Sequence, residues 1–458
     1  MAGIGFKLKK LFKPDTFIDN ALALIFSTTV ASGPIFFSLL CLGLLGIFVQ
    51  PLFIAPGFSF FLITIVYIVA FSLITTGTMQ LVLSRYLADK IYGKEYGEIM
   101  PALCMSLALT VVWQALFGLP FLLFLDADFL YRITAFALFV ITGCIWQLMV
   151  FLSAVKKFRS ITFAFGIGVS ISFGMAWFLS EPFGVTGLLH GYALGQMTIF
   201  FILLARVLLE FKSAAPPSLS VFNHFKLMPQ LIIIGAFYNL GIWIDKMIFW
   251  FSAPTSEHVN SFLYASSIYD TATYLAYVTV LPSATYFLVK IETDFYDNFR
   301  SFFHAISNRE TFKVIEIRKK NIAKSVRESL IGLLKIQGCI TLLCLFYSEE
   351  LVSMLHISSY SAMVLEKALV AVFLQMIVLT LIIFMMYFDI KGDLIVVTTL
   401  FLVSNALFTA LSIYLGPKFH GYGYLFSNLL TLLVALAYIN RHLQKMEYRT
   451  FMQQVQNI

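Results

Sequence analysis

Long apolar segments recur along the whole chain, and each is long enough to form a helix that crosses a lipid bilayer. A spanning helix needs about 20 mostly apolar residues. Backbone groups in lipid must be paired within the segment, which favours helices. The segments are residues 20–49, 58–83, 101–125, 133–155, 161–180, 188–209, 229–251, 262–288, 329–347, 367–388, 394–415 and 423–440. We therefore predict an all-α polytopic membrane protein with about twelve transmembrane helices.

Composition supports a membrane protein and excludes several other classes. Hydrophobic residues make up 60% of the 458 and charged residues only 12%, whereas a soluble domain carries about 25% charged residues. The net charge of +7 reflects basic cytoplasmic loops, so it does not indicate nucleic-acid binding. The five cysteines lie in apolar runs and are interpreted as small hydrophobic side chains. No cleavable signal peptide is expected, because the first apolar segment is too long.

Lysine and arginine predict the orientation. They concentrate in the two terminal segments and in every second connection, whereas only Arg132, Lys367 and Lys418 lie on the opposite side. The positive-inside rule places both termini in the cytoplasm.

A polar break with two prolines divides the spans into six and six. The predicted parts are an N-terminal interfacial helix at 1–19, an N-lobe at 20–209, a cytoplasmic linker at 210–228, a C-lobe at 229–440 and a cytoplasmic tail at 441–458. The tripeptide His-Gly-Tyr occurs at 190–192 and again at 420–422, near the start of the last span of each lobe. It favours two parallel six-helix repeats. Gly187, Gly191 and Gly195 form a ridge of small residues on which a neighbouring helix can pack closely.

The largest cytoplasmic insertion lies within the C-lobe, at residues 289–328. Apolar residues recur there at helical spacing, and Ser307 with Glu310 matches a capping box for a second, basic helix. We predict an amphipathic helical hairpin that docks a protein partner or contacts lipid headgroups.

Two adjacent charges lie inside the seventh span. Charge at a helix centre in the membrane costs at least about 2.5–3.5 kcal/mol per residue, so Asp245 and Lys246 mark a functional site or face protein. We expect Lys246 to pair with Asp270 of the next span, with Asp245 as a competing partner. The alternative is that Lys246 extends to the outer headgroups.

Other polar side chains within the spans suit a saccharide path, because amides bond hydroxyl groups and aromatic rings stack on sugar faces. The candidates are Gln80, Gln114, Gln147, Gln196, Asn239, Trp243 and Asn405, beside Asp245, Lys246 and Asp270. Hydrogen bonding between helices is the alternative for each. Ser32-Gly33-Pro34 predicts a kink in the first span, which faces a transport cavity or serves packing.

Motifs of soluble enzymes are missing from the sequence. It contains no P-loop, HExxH, CxxC or nucleophile elbow. We expect neither an enzyme nor a bound cofactor or metal.

Several motifs resemble the PelG family of inner-membrane components of Pel exopolysaccharide export. They are the N-terminal MAGIGFKLKKL, Ser32-Gly33-Pro34, the run 239–246 (NLGIWIDK), Tyr269-Asp270 and the run 287–295 (FLVKIETDF). The resemblance implies a fold like the multidrug/oligosaccharidyl-lipid/polysaccharide flippase superfamily. It implies export of an amino-sugar-rich exopolysaccharide or its precursor to the periplasm for biofilm matrix formation.

The same resemblance implies partners and a location. The partners are membrane lipid, the polysaccharide, a cytoplasmic glycosyltransferase and membrane proteins of the same synthase, and the location is the bacterial inner membrane. Two alternatives stay open, an ion-coupled small-molecule antiporter and a flippase for lipid-linked oligosaccharides.

Overall fold

The computed structural model describes residues 33–50, 57–154, 158–211, 220–354 and 358–456. Nearly all of them are helical. The helices are α1 (Gly33–Phe48), α2 (Gly57–Tyr92), α3 (Ile99–Leu123), α4 (Phe129–Ala154), α5 (Phe158–Glu210), α6 (Ser220–Leu227), α7 (Pro229–Phe251), α8 (Ser267–Val278), α9 (Leu281–Lys290), α10 (Tyr296–Ser307), α11 (Phe312–Phe346), α12 (Ser348–Met354), α13 (Ser359–Tyr387), α14 (Lys391–Leu415), α15 (Tyr422–Gln444) and α16 (Met446–Gln456). Two strands, β1 (Glu257–Asn260) and β2 (Leu263–Ala265), form an antiparallel hairpin.

The predicted all-α polytopic class is confirmed. Within the described residues, nine helices are long and apolar enough to cross a membrane, or ten if the bent pair of α8 with Leu281–Ser307 is one span. The exact number of twelve stays a prediction. The first predicted span begins outside the described residues, and only α1 represents it. The N-terminal interfacial segment also lies outside them.

Helix α5 contains two predicted spans, which its glycines fold against each other. Gly184 interrupts the helix with a φ of 58°, a left-handed conformation that glycine adopts without steric cost. A Cβ added at Gly187, Gly191 or Gly195 would collide with the preceding half, at Leu179, at Ala176 and at Ser172 respectively. The contact residues rise in number along the second half of α5 as they fall along the first half. The two halves therefore pack antiparallel. The predicted close approach at the glycine ridge is confirmed.

Two similar glycine contacts indicate a longer offset for the predicted repeat than the 230 residues between the shared tripeptides. Gly423 at the start of α15 packs on the backbone of Thr409 in α14, just as Gly191 packs on Ala176. These glycines are 232 residues apart. Gly191 is helical, whereas Gly421 has a φ of 91° and precedes α15. The segments that correspond in packing are therefore 191–196 (GYALGQ) and 423–428 (GYLFSN).

The described helices group into two compact units, which extend over Ser32–Ser267 (the N-unit) and Ile268–Ile458 (the C-unit). This division falls after α7, not at the polar linker, whose described part includes α6. Helix α7 packs on α2 because both carry glycine at the crossing, where a Cβ added at Gly77 would lie 3.0 Å from the carbonyl O of Gly235. Tyr67 of α2 also stacks on Trp250 of α7 at 4.7 Å between ring centroids. The division into two transport lobes stays a prediction.

The β-hairpin after α7 is hydrogen-bonded to the loop between α3 and α4 and to α2. Asn260 Nδ2 donates to the carbonyl O of Asp126 at 2.8 Å, and the backbone N of Asp126 donates to Asn260 Oδ1 at 3.1 Å. Tyr67 Oη donates to the carbonyl O of Tyr264 at 2.9 Å. These bonds link α7 to the loop between α3 and α4, so α7 is fixed to the N-unit at both its middle and its end.

The insertion predicted at residues 289–328 folds as two helices of the C-unit, α10 and the first part of α11. A π-helical turn at Ile291–Phe295 precedes them, and the Phe295 ring packs 4.7 Å from that of Phe384 in α13. The predicted capping box is wrong. Ser307 is the last residue of α10, and Thr311 precedes α11 without a side-chain capping bond.

Candidate functional site

Asp245 and Lys246 form a buried ion pair within α7. Asp245 is 0% exposed and Lys246 6%. Lys246 Nζ lies 3.2 Å from Asp245 Oδ2 and donates a bond of 3.2 Å to the carbonyl O of Ile242. Consecutive helical side chains point in different directions, so the lysine meets the carboxylate by folding back toward the start of the helix. The ammonium group therefore faces protein instead of extending past the helix end.

An indole ring completes the environment of the ammonium. Lys246 Nζ lies 5.6 Å from the ring centroid of Trp243, within the range at which a ring face attracts a cation. Trp243 in turn lies 6.3 Å from Trp250. The carboxylate, the carbonyl and the ring face together hold the positive charge away from water.

The structure places Asp270 in the first turn of α8, half-buried, in the other compact unit. A carboxylate near a helix N-terminus is stabilised by the helix dipole. Lys246 pairs with the competing partner, Asp245, and its pairing with Asp270 stays a prediction.

Asn239 serves the contact between α2 and α7. Its Nδ2 donates to the carbonyl O of Gly235 one turn earlier at 2.8 Å. The same amide fills the space beside Gly77, where an added Cβ would collide with it. In this conformation Asn239 therefore fills the helix contact and hydrogen-bonds within α7.

Gln114 is the centre of a buried hydrogen-bond cluster that joins three helices of the N-unit. It is 0% exposed. Its Oε1 accepts from Thr75 Oγ1 at 3.0 Å, and its Nε2 donates to the carbonyl O of Ser72 at 3.3 Å. Trp146 Nε1 donates to Ser72 Oγ at 3.2 Å. Ser72 and Thr75 of α2, Gln114 of α3 and Trp146 of α4 are thereby linked.

Gly143 of α4 leaves the space that the Gln114 side chain occupies. A Cβ added at Gly143 of α4 would collide with the Gln114 amide. Gln114 was a candidate from the sequence, but Ser72, Thr75 and Gly143 were not. A small residue one helical turn before Gln147 was the one available signal.

Gln147 differs from the other candidate amides of the N-unit. It is 0% exposed, and both Oε1 and Nε2 lack a hydrogen-bond partner among the described residues. Gln80, by contrast, donates to Thr76 Oγ1 within α2 at 3.2 Å. Gln196 is buried, with 6% of its surface exposed. Gln147 is therefore the candidate whose polar atoms the surrounding protein does not satisfy.

In the C-unit, Asn405 is fully buried and accepts a bond of 3.1 Å from Thr409 Oγ1. A second cluster, which includes tyrosines that the sequence pattern did not single out, joins α8, α13 and α15. Tyr277 Oη donates to Gln375 Oε1 at 2.7 Å and lies 2.6 Å from Tyr424 Oη. Tyr424 Oη also bonds Gln375.

The candidate residues thus separate into groups. The ion pair with Trp243 and Asn239, the Gln114 cluster, Gln80, Gln147 and Gln196 belong to the N-unit, and Asn405 and Asp270 to the C-unit. For the predicted kink, Ser32 lies outside the described residues, and Gly33 and Pro34 begin α1. Within the part of the chain that the structure describes, no group of three or more His, Cys, Asp or Glu could hold a metal ion.

The family model described as "PelG: Putative exopolysaccharide Exporter (EPS-E)" matches residues 1–451. The chain belongs to the PelG family. Comparison with curated proteins finds no match.

Solved structures of membrane transporters share the fold. An outward-facing multidrug resistance MATE family transporter of the MOP superfamily is similar with a TM-score of 0.67 and 12% identity, covering 98% of this chain and 100% of that one. A MOP superfamily transporter from Pyrococcus furiosus is similar with a TM-score of 0.65 and 12% identity, covering 93% and 95%. An inward-facing MATE family transporter has a TM-score of 0.61 and 11% identity, covering 86% and 91%. The protein is a multi-pass membrane transporter with a MOP-superfamily fold, and not an enzyme.

Proposed function

We propose that this transporter exports a Pel-like, amino-sugar-rich exopolysaccharide or its precursor across the bacterial inner membrane to the periplasm, for biofilm matrix formation. Both termini lie in the cytoplasm. Membership of the PelG family supports the class of cargo, and the MOP-superfamily fold supports movement of cargo across the membrane.

The observation that carries this proposal is the buried Asp245–Lys246 pair beside Trp243. An ion pair within a membrane helix costs free energy that apolar side chains of similar volume would not. Intramembrane ionisable groups mark substrate and ion pathways. An aromatic ring with a carboxylate and an ammonium provides the groups that bind an amino sugar, since the ring stacks on the pyranose face and the charges bond its amine and hydroxyl groups.

The other candidate residues enter the proposal as parts of the path. Asn239, Gln80, Gln114, Gln147, Gln196 and Asn405, with Asp270, would bond the saccharide in conformations of the transport cycle that differ from this one. The predicted kink at Ser32-Gly33-Pro34 would let the first span face the transport cavity.

The hairpin in the C-unit is the proposed docking surface for the cytoplasmic glycosyltransferase of the same synthase. Its basic residues are of two kinds. Lys319 bonds Glu447 of α16 at 2.5 Å and the carbonyl O of Gln444 at 3.0 Å, so it holds the hairpin against the C-terminal helix. Arg318, Lys320 and Lys324 are exposed and so available to a partner.

A deletion strain tests the proposed function. We expect loss of cell-surface and secreted polysaccharide, restored by the wild-type chain, with unchanged susceptibility to cationic drugs and dyes. Hypersusceptibility with normal polysaccharide would instead support the small-molecule antiporter. Accumulation of lipid-linked oligosaccharide in the inner leaflet would support the flippase for lipid-linked precursors.

A further inference from the structure

Gln147 is buried and forms no hydrogen bond with the described residues, whereas the side chains of Gln114 and Trp146 are hydrogen-bonded. Its side chain is 0% exposed, and neither amide atom has a partner among the described residues. Buried polar groups in native proteins are almost always paired, so each exception needs a physical explanation. A primary amide that lacks both a donor and an acceptor partner matches a group that can accept and donate at once, which a hydroxyl does.

Gln147 lies on the face of α4 that contacts α3. A Cβ added at Gly143 of α4 would collide with the Gln114 amide of α3. Gly143 and Gln147 are four residues apart and so share one face of α4. This face therefore presents one unpaired donor and one unpaired acceptor, Nε2 and Oε1 of Gln147, beside the satisfied Gln114 cluster.

The chemistry of this location selects an uncharged ligand. Ser72, Thr75, Gln114, Trp146 and Gln147 include no ionisable group. A cation buried among them would have no carboxylate to offset its desolvation. An indole ring and two amides are instead suited to the apolar face and hydroxyl groups of a neutral sugar.

We propose that Gln147 forms a subsite that bonds hydroxyl or acetamido groups of an uncharged saccharide residue. This inference rests on the proposed function and adds a site distinct from the charged pair of α7. In the present conformation the amide is closed off, so a saccharide reaches it only when α4 moves apart from its neighbours. The unsatisfied amide destabilises the closed state, and a bound saccharide hydroxyl would remove that cost in the open state.

The test compares Gln147→Met with Leu148→Met in the purified full-length protein. Methionine keeps the approximate volume of glutamine but removes both polar atoms. Leu148 is also 0% exposed and lies on the same helix, so its substitution controls for repacking of α4. Binding of a neutral N-acetylhexosamine tetrasaccharide and of its de-N-acetylated form is measured by tryptophan fluorescence, beside the thermal midpoint of each variant.

We expect Gln147→Met to weaken binding of the neutral tetrasaccharide at least tenfold without lowering the thermal midpoint, and Leu148→Met to leave both unchanged. Equal binding by Gln147→Met and the wild type would overturn the subsite. A lowered midpoint with unchanged affinity would assign Gln147 a structural role. Failure of the proposed function is distinguishable, because the wild-type chain would then neither bind saccharide nor restore polysaccharide to the deletion strain.

Discussion

Lys246 folds back along α7 so that its ammonium lies 3.2 Å from the carboxylate of Asp245, the residue before it. The two charges sit on one helix, and their separation does not depend on the position of another helix. They can therefore stay paired while α7 moves as a rigid body. Each charge is stabilised by the other, so removing one charge should have a different effect on stability from removing both.

Removing one charge of this pair should destabilise the protein far more than removing both. Asp245→Asn or Lys246→Met removes one partner of a buried ion pair, which costs about 3–5 kcal/mol. The double variant leaves no net buried charge and should recover most of that loss. The thermal midpoint in detergent, with the amount of folded protein in membranes, measures the difference. Equal losses for single and double variants would contradict the pairing.

The glycine crossing of α2 and α7 gives a second prediction. Gly77→Ala would place a methyl group against the Asn239 amide and the Gly235 carbonyl. Overpacking of this kind costs about 1–3 kcal/mol. Asn239→Ala in the same chain removes the colliding amide and should restore part of the stability. Gly43→Ala is the matched control, because an added Cβ there meets no described atom within 4 Å. Unfolding in detergent reports all three, and a Gly77→Ala chain as stable as the control would refute the crossing.

The third prediction concerns the two halves of α5, which pack against each other. Gly191→Ala places a methyl group against the backbone of Met175 and Ala176, and backbone cannot move aside as a side chain can. We expect a loss of about 1–3 kcal/mol, as for other overpacked contacts. Gly174→Ala in the same helix meets no described atom within 4 Å and should be neutral or slightly stabilising. A shared melting temperature for the two variants would contradict the antiparallel hairpin.

The fourth prediction concerns the glycosyltransferase. Reversing the exposed charges with Arg318→Glu, Lys320→Glu and Lys324→Glu should release the partner in a pull-down. Exposed i,i+4 ion pairs such as Lys320 with Glu316 add little to stability, so the exporter should remain folded in the membrane. Lys319→Glu is the contrasting variant, because it breaks the bond to Glu447 and should loosen the hairpin itself. Undiminished co-purification with the triple variant would reject this docking surface.

Much of this fold follows from local sequence, because membrane helices are specified by the length of apolar runs. The glycine ridge of α5 was predictable for a similar reason, since small residues at four-residue spacing permit close helix packing. The capping box, by contrast, was predicted from the sequence but does not form. Ser307 and Glu310 have the right spacing, but α10 continues through Ser307 and the next helix starts after Thr311.

The candidate site was predicted as a set of residues but not as an arrangement. Which carboxylate Lys246 meets depends on the rotamer of one long side chain, and the hydropathy pattern carries no information about it. That α7 packs on α2 depends on two glycines and the Tyr67–Trp250 stack, which lie far apart in sequence. Gln147 and Gln114 look alike in the sequence, yet only Gln114 finds partners, because Ser72 and Thr75 lie opposite it.

The most direct test of the central claim is the amount of secreted polysaccharide from the deletion strain that carries the Asp245→Asn, Lys246→Met double variant, measured at membrane levels equal to wild type. The neutral pair preserves the fold but removes both charges from the proposed path. We predict that the wild-type chain and the Gly43→Ala control restore secretion and that the double variant does not. Secretion at the wild-type level by the double variant would contradict a role for the buried pair in export.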